Sequence, residues 1–260
     1  MQKNGGFMKF KNIIEREIKI VDIPVMALTP KGETTSYPTI IFYHGWSSTA
    51  DKQKFRAYIL ATLGYQVLIP TSIYHGERNP IDYTISENAG KYLWRVILKN
   101  IEESDAIIDY AVKNLNADKE RIAVMGHSMG GFTSAGIFAY NKNIKTAVIL
   151  NGSCDYGHSN KSFEEKFGVS TDIYLKELMQ EINKYDPMNN VDKIVDRPIL
   201  MLHGDCDSLI DVNVQRDFYA KVSPKYKDSN KIKYIEYPKL NHLVTTNMME
   251  DIAVWCEEFL

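Results

Sequence analysis

The chain predicts an α/β fold, a mostly parallel central sheet flanked by helices, and three features carry that expectation. Short unbroken apolar runs recur, as in Thr39-Ile40-Ile41-Phe42-Tyr43, Gln66-Val67-Leu68-Ile69, Ala147-Val148-Ile149-Leu150 and Ile199-Leu200-Met201-Leu202. Runs of this kind suit strands buried on both faces. Helical periodicities fill the intervals between them, which implies right-handed crossovers between parallel strands. One further run, Arg121-Ile122-Ala123-Val124-Met125, leads straight into Gly126-His127-Ser128-Met129-Gly130 and then into a small-residue helix over residues 131–140.

In chain order, residues 13–20 and 24–28 read as two short strands around a turn near Asp22, an antiparallel edge to the sheet. Lys31-Gly32-Glu33 is a loop before the strand at 39–43. A helix over 52–63 separates that strand from the one at 66–69. Leu93, Val96, Ile97, Ile101, Ile107, Ile108, Val112 and Leu115 recur every three or four residues, so a long amphipathic helix is expected over 86–114. Helices are expected at 213–222 and 245–259, and Ile232-Lys233-Tyr234-Ile235-Glu236-Tyr237 alternates as a strand near an edge does. With the strand at 121–125 this makes about eight strands. Residues 153–197 offer no convincing strand, only short amphipathic helices at 163–167 and 174–185 between polar loops. That is too long for a simple connection, so it reads as a small helical cap insertion over the carboxyl end of the sheet; the alternative is an elaborated crossover that touches no substrate. The 260 residues are expected to form one domain.

Bulk properties exclude several functions. A net charge of -2, with acids and bases interspersed, leaves no electrostatic footprint for nucleic acid or an anionic membrane. The opening residues, Met1-Gln2-Lys3-Asn4-Gly5-Gly6-Phe7, lack the apolar core of a signal peptide, and no run approaches the ~18 apolar residues of a membrane span. A cytoplasmic protein is therefore expected, with no sequence indication of a homo-oligomer. Cys154, Cys206 and Cys256 are odd in number and form no CxxC pair, which argues for reduced thiols rather than a disulfide framework or a zinc site.

The pentapeptide 126–130 is the pattern of a nucleophile elbow, in which a serine sits on a strand-to-helix turn too tight for any but small residues two positions either side. A serine nucleophile needs a base, an acid that orients the base, and donors aimed at the developing oxyanion. After the strand at 199–202 comes the acid-rich loop His203-Gly204-Asp205-Cys206-Asp207-Ser208-Leu209-Ile210-Asp211. Asp207 is the preferred orienting carboxylate, Asp205 its close competitor, and Asp211 reads as a helix N-cap. After the strand at 232–237 comes Pro238-Lys239-Leu240-Asn241-His242, so His242 is the expected base. Because an ordinary histidine titrates near ~6.5 and must be neutral to accept the proton, turnover is expected to rise from about pH 6 to 8. Met129 N–H and Trp46 N–H, the latter in the His44-Gly45-Trp46-Ser47-Ser48 loop, are the expected oxyanion donors. The Trp46 indole either walls an acyl pocket or packs in the core. Tyr74 and His75 are candidates for lining a substrate cleft, against the alternative of a loop held by an ion pair of Glu77 or Arg78. Trp94, on the long helix near the same end, reads as core rather than substrate wall.

With these residues in view the chain resembles the α/β-hydrolase superfamily, and within it small bacterial carboxylesterases related to dienelactone hydrolases and prolyl oligopeptidases. The resemblance runs through Asp22-Ile23-Pro24-Val25, Ile41-Phe42-Tyr43-His44-Gly45, His75-Gly76-Glu77-Arg78, the elbow and the strand from Arg197-Pro198 to Gly204, nearly the whole chain. Dienelactone hydrolases proper carry cysteine at the nucleophile and haloalkane dehalogenases aspartate, so Ser128 argues against both activities. The resemblance implies an esterase of short acyl chains with a small-molecule substrate and no cofactor or metal. A thioesterase or acyltransferase, a peptidase or amidase, and a ligand receptor that has kept the scaffold are the rival readings.

Overall fold

A computed structural model describes residues 12–32, 34, 36–167 and 176–260. Eight strands form one sheet: β1 (Ile13–Ile20), β2 (Ile23–Pro30), β3 (Tyr37–Tyr43), β4 (Gln66–Pro70), β5 (Ala117–His127), β6 (Thr146–Leu150), β7 (Ile199–Gly204) and β8 (Ile232–Tyr237). Their spatial order is β1-β2-β4-β3-β5-β6-β7-β8. The β1–β2 hairpin and the β2–β4 pair are antiparallel, and every other pairing is parallel. The hairpin turns at Val21, whose φ of 56° is the left-handed conformation that a two-residue turn demands.

Strand alternation sends neighbouring residues to opposite layers. Ile41, Tyr43, Val124 and Ile149 face one core with α2 (Ser86–Asn114) and α3 (Met129–Tyr140). Ile40, Phe42, Met125 and Val148 face the other with α1 (Ala50–Thr62) and α8 (Thr246–Phe259). The long helix has the predicted limits. Helix α3 is buried along all but its last residue, Tyr140, which explains its lack of a polar face. Its mate α1 lies on the opposite layer, so the connections leaving β3 and β5, neighbours in the sheet, depart to opposite faces. The crevice between their carboxyl ends is the topological switch point at which open α/β sheets bind ligands.

Residues 153–197 contain no strand among the described residues. They hold α4 (Tyr156–Phe167), α5 (Met179–Tyr185), a 3-10 turn at Pro187–Asn189 and α6 (Val191–Ile194). Residues 174 and 175 of the predicted second helix lie outside the described residues. Asp186 anchors this segment: its carboxylate accepts from the N–H groups of Tyr156 and Met188. Burial raises its pKa to about 6 despite those bonds. Helix α7 (Asn213–Val222) begins just after Asp211, whose carboxylate accepts the Asn213 N–H as a cap does. No described helix is long and apolar enough to cross a membrane.

Candidate active site

Ser128 occupies the turn from β5 into α3 at φ 58° and ψ -123°, a conformation costly for a residue with a Cβ. Its neighbours explain the glycines around it. A Cβ on Gly126 would stand 1.9 Å from Gly130 O, and one on Gly130 would stand 2.1 Å from Tyr43 O. Neither neighbour is a side chain that can swing away. Gly130→Ala is accordingly expected to destabilise the protein by more than about 3 kcal/mol, read as a lowered urea midpoint; a midpoint at the wild-type value contradicts this turn.

The loop after β3 closes against the serine. A Cβ on Gly45 would touch Ser128 Cβ at 3.3 Å and His127 O at 3.2 Å, so glycine permits the approach. His44 is fully buried and holds the loop: Nδ1–H donates to Gly45 O at 2.9 Å while Nε2 accepts the Ser72 N–H at 3.1 Å. Burial lowers its pKa to about 4, so the ring is neutral in this tautomer. Neither Trp46 N–H nor Met129 N–H has an acceptor among the described residues, leaving two donors free beside Ser128.

His242 Nδ1 and Asp207 Oδ2 are 2.7 Å apart, with the carboxylate fully buried and the imidazole nearly so. It is Asp207, not Asp205, that reaches the ring. Burial alone pushes the Asp207 carboxyl up, but the His203 and His242 rings and the Ile210 N–H outweigh it and hold the group well below the usual carboxylate range. The imidazole of His242 lies over His127 with ring centroids 4.8 Å apart, one residue from the serine. His127 is pushed down to about 3 by burial and then by the neighbouring His242. Ser128 Oγ makes no side-chain hydrogen bond among the described residues, so the serine and imidazole are not yet engaged; such contacts tighten when substrate binds.

Three residues that pattern reading passed over fasten this arrangement. Asn241 Oδ1 accepts the N–H groups of Ser208 and His242 at 2.8 and 2.7 Å, tying the acid loop to the histidine loop. Asn151, just past β6 at φ 42°, donates to Leu243 O and accepts the Gly204 N–H. His203, fully buried, brings Nε2 within 3.2 Å of the same Asp207 oxygen that faces His242. The discoverable signal was positional: Asn151 and His203 sit at the carboxyl ends of parallel strands.

Ser128 opens onto a cavity of about 290 Å³ whose wall is largely apolar, formed by Trp46, Leu93, Trp94, Met129, Phe132 and Phe163 among others. Trp94 fits both of its readings: it is buried in the core and also lines the cavity. Tyr74 and His75 do not line this cavity. His75 is wholly buried behind Trp46, its ring edge-on to the indole at 5.4 Å and stacked on Tyr83 at 4.9 Å, while Tyr74 faces a separate surface groove. The loop carrying them is held by an ion pair of Arg78, whose partner is Glu103 of α2 at 2.6 Å.

This sheet order, with a strained serine at its switch point, defines an α/β hydrolase. The sequence pattern of the prolyl oligopeptidase family matches residues 87–257, well over half of the chain, and the chain belongs to that family. Ser128, Asp207 and His242 all fall within the matched span. Among curated relatives, the Bacillus subtilis (strain 168) protein named "Putative esterase YitV" is 28% identical, covering 86% of this chain and 89% of its own. "Esterase YjfP" of Escherichia coli (strain K12) is 28% identical, covering 74% and 78%. In fold, TT1662 from Thermus thermophilus superposes with a TM-score of 0.80 at 16% identity, covering 95% of this chain and 97% of that one.

Proposed function

We propose that the protein is a serine carboxylesterase of short-chain acyl esters. The observation that carries the reading is the 2.7 Å Asp207–His242 pair, its imidazole against His127, next to a strained Ser128 that opens onto a small apolar cavity. His242 takes the hydroxyl proton as Ser128 attacks the carbonyl, Asp207 fixes the imidazole tautomer, and the N–H groups of Trp46 and Met129 receive the oxyanion. The acyl-enzyme is then hydrolysed by a water that His242 activates in turn.

The cavity supports a short acyl group, since about 290 Å³ lies at the low end of the ~300–1,000 Å³ of small-molecule sites. The esterase names of the two relatives favour oxygen esters, while family membership alone would equally suit a peptidase. Among the described residues no charged side chain lines the cavity to hold a peptide terminus. A p-nitrophenyl ester series is expected to peak at butyrate or hexanoate and to fall steeply by palmitate. Acyl-CoA and aminoacyl arylamides are expected to turn over more slowly than the best ester; faster cleavage of an arylamide overturns the reading in favour of a peptidase.

A further inference from the structure

The described cavity wall contains one buried polar side chain that ester hydrolysis does not use. Asn160 of α4 is buried at 8% exposure, and Trp94 Nε1–H donates to its Oδ1 at 2.5 Å. An indole nitrogen can only donate, so this bond fixes the orientation of the carboxamide and assigns Nδ2 to its other end. Nδ2 is buried and has no acceptor among the described residues. An unpaired buried donor is costly, and holding the Trp94 N–H needs only the carboxamide oxygen, not Nδ2.

We propose that Asn160 Nδ2 recognises an acyl group bearing a neutral acceptor-only oxygen, a ketone or an ether, in the cavity beside Ser128. The inference rests on the esterase reading and specifies its substrate class. A plain alkyl chain leaves the donor dry. A lone water is a poor substitute, because a buried water needs two to four polar partners and the surrounding wall is apolar. An acyl carboxylate or ammonium would enter with no counter-charge among the lining residues, a burial that a single amide does not offset. A hydroxyl would bring its own donor to a site where Oδ1 is already engaged by Trp94.

The test compares kcat/KM for p-nitrophenyl hexanoate with that for its keto analogue, which carries the ketone near the acyl terminus. Taking the keto-to-plain ratio in wild type and in Asn160→Leu cancels intrinsic reactivity, and the ratio is expected to fall about tenfold in the variant, the worth of one buried hydrogen bond. Because leucine leaves the Trp94 N–H unpaired, the double variant Trp94→Phe/Asn160→Leu, which removes both partners, provides a second measurement if the single variant does not fold. The same fall is expected there. Normal hydrolysis of the plain ester with an unmoved ratio overturns this proposal alone. Hydrolysis of neither ester, with no labelling of Ser128 by a fluorophosphonate probe, overturns the esterase reading and the proposal with it.

Discussion

Ser128→Ala is expected to cut p-nitrophenyl butyrate turnover by about 10,000-fold or more while leaving the circular dichroism spectrum and elution volume unchanged. The size follows from the role: without the hydroxyl there is no acyl-enzyme, and what survives is only the stabilisation that the free N–H groups of Trp46 and Met129 offer a water-attacked carbonyl. The variant also separates chemistry from backbone strain. Alanine keeps a Cβ at φ 58° and ψ -123° and so keeps the strain, whereas Ser128→Gly removes it. Both variants are expected to be inactive, with the glycine protein more stable than the alanine one by about 1 kcal/mol in a urea melt. Retained butyrate turnover in Ser128→Ala refutes the assignment of the nucleophile. A glycine variant less stable than the alanine variant refutes the strain argument without touching the chemistry.

Much of this architecture was legible because it rests on local rules. The α2 helix follows from a period that any helix must show, and the glycines at 126 and 130 announce a turn that admits nothing larger. The placement of Ser128, Asp207 and His242 could be read because each follows an apolar run at the carboxyl end of a strand. What escaped reading depends on approaches between distant segments. The partner of Arg78 is Glu103, which α2 brings within 2.6 Å, and nothing near residue 78 encodes that. His75 looked like a cleft residue for its place after β4. Instead its loop folds inward, with Arg78 bonded to Thr71 O and Asn100 of α2 bonded to Ser72, which drives the ring behind Trp46.

The same distinction applies to polar residues. Asn151, Asn160 and Asn241 look alike in sequence, three amides among many in loops and short helices. Their surroundings give them different tasks. Asn151 and Asn241 satisfy backbone groups of the loops that carry Asp207 and His242, whereas Asn160 leaves one end unsatisfied against a cavity. A buried amide with both ends bonded, as in Asn151, is scaffold, and the unpaired donor of Asn160 is what the proposed acyl oxygen would satisfy.

Asp207→Asn is expected to lower kcat for p-nitrophenyl butyrate by about 10,000-fold with little change in KM, whereas Asp205→Asn leaves kcat within a few-fold of wild type. The asymmetry is geometric: Asp207 Oδ2 lies 2.7 Å from His242 Nδ1, while Asp205 Oδ1 is buried without any partner. An asparagine at 207 offers an N–H as readily as an oxygen. It therefore permits the tautomer with the proton on Nε2, the nitrogen that must be empty to accept the serine proton. Removing the carboxylate also changes how stability depends on pH. The folded pKa of Asp207 is depressed, so its ionised form stabilises the native state above the ordinary carboxylate pKa, and that contribution is lost as pH falls through the folded value. Wild type is thus expected to exceed Asp207→Asn in stability at pH 7, with the gap narrowing steadily as the pH falls below about 4. Urea melts at a series of pH values measure it. A gap that stays constant down to acid pH shows that the charge of Asp207 does not contribute to folding, and a fully active Asp207→Asn variant shows that His242 takes its orientation from some other group.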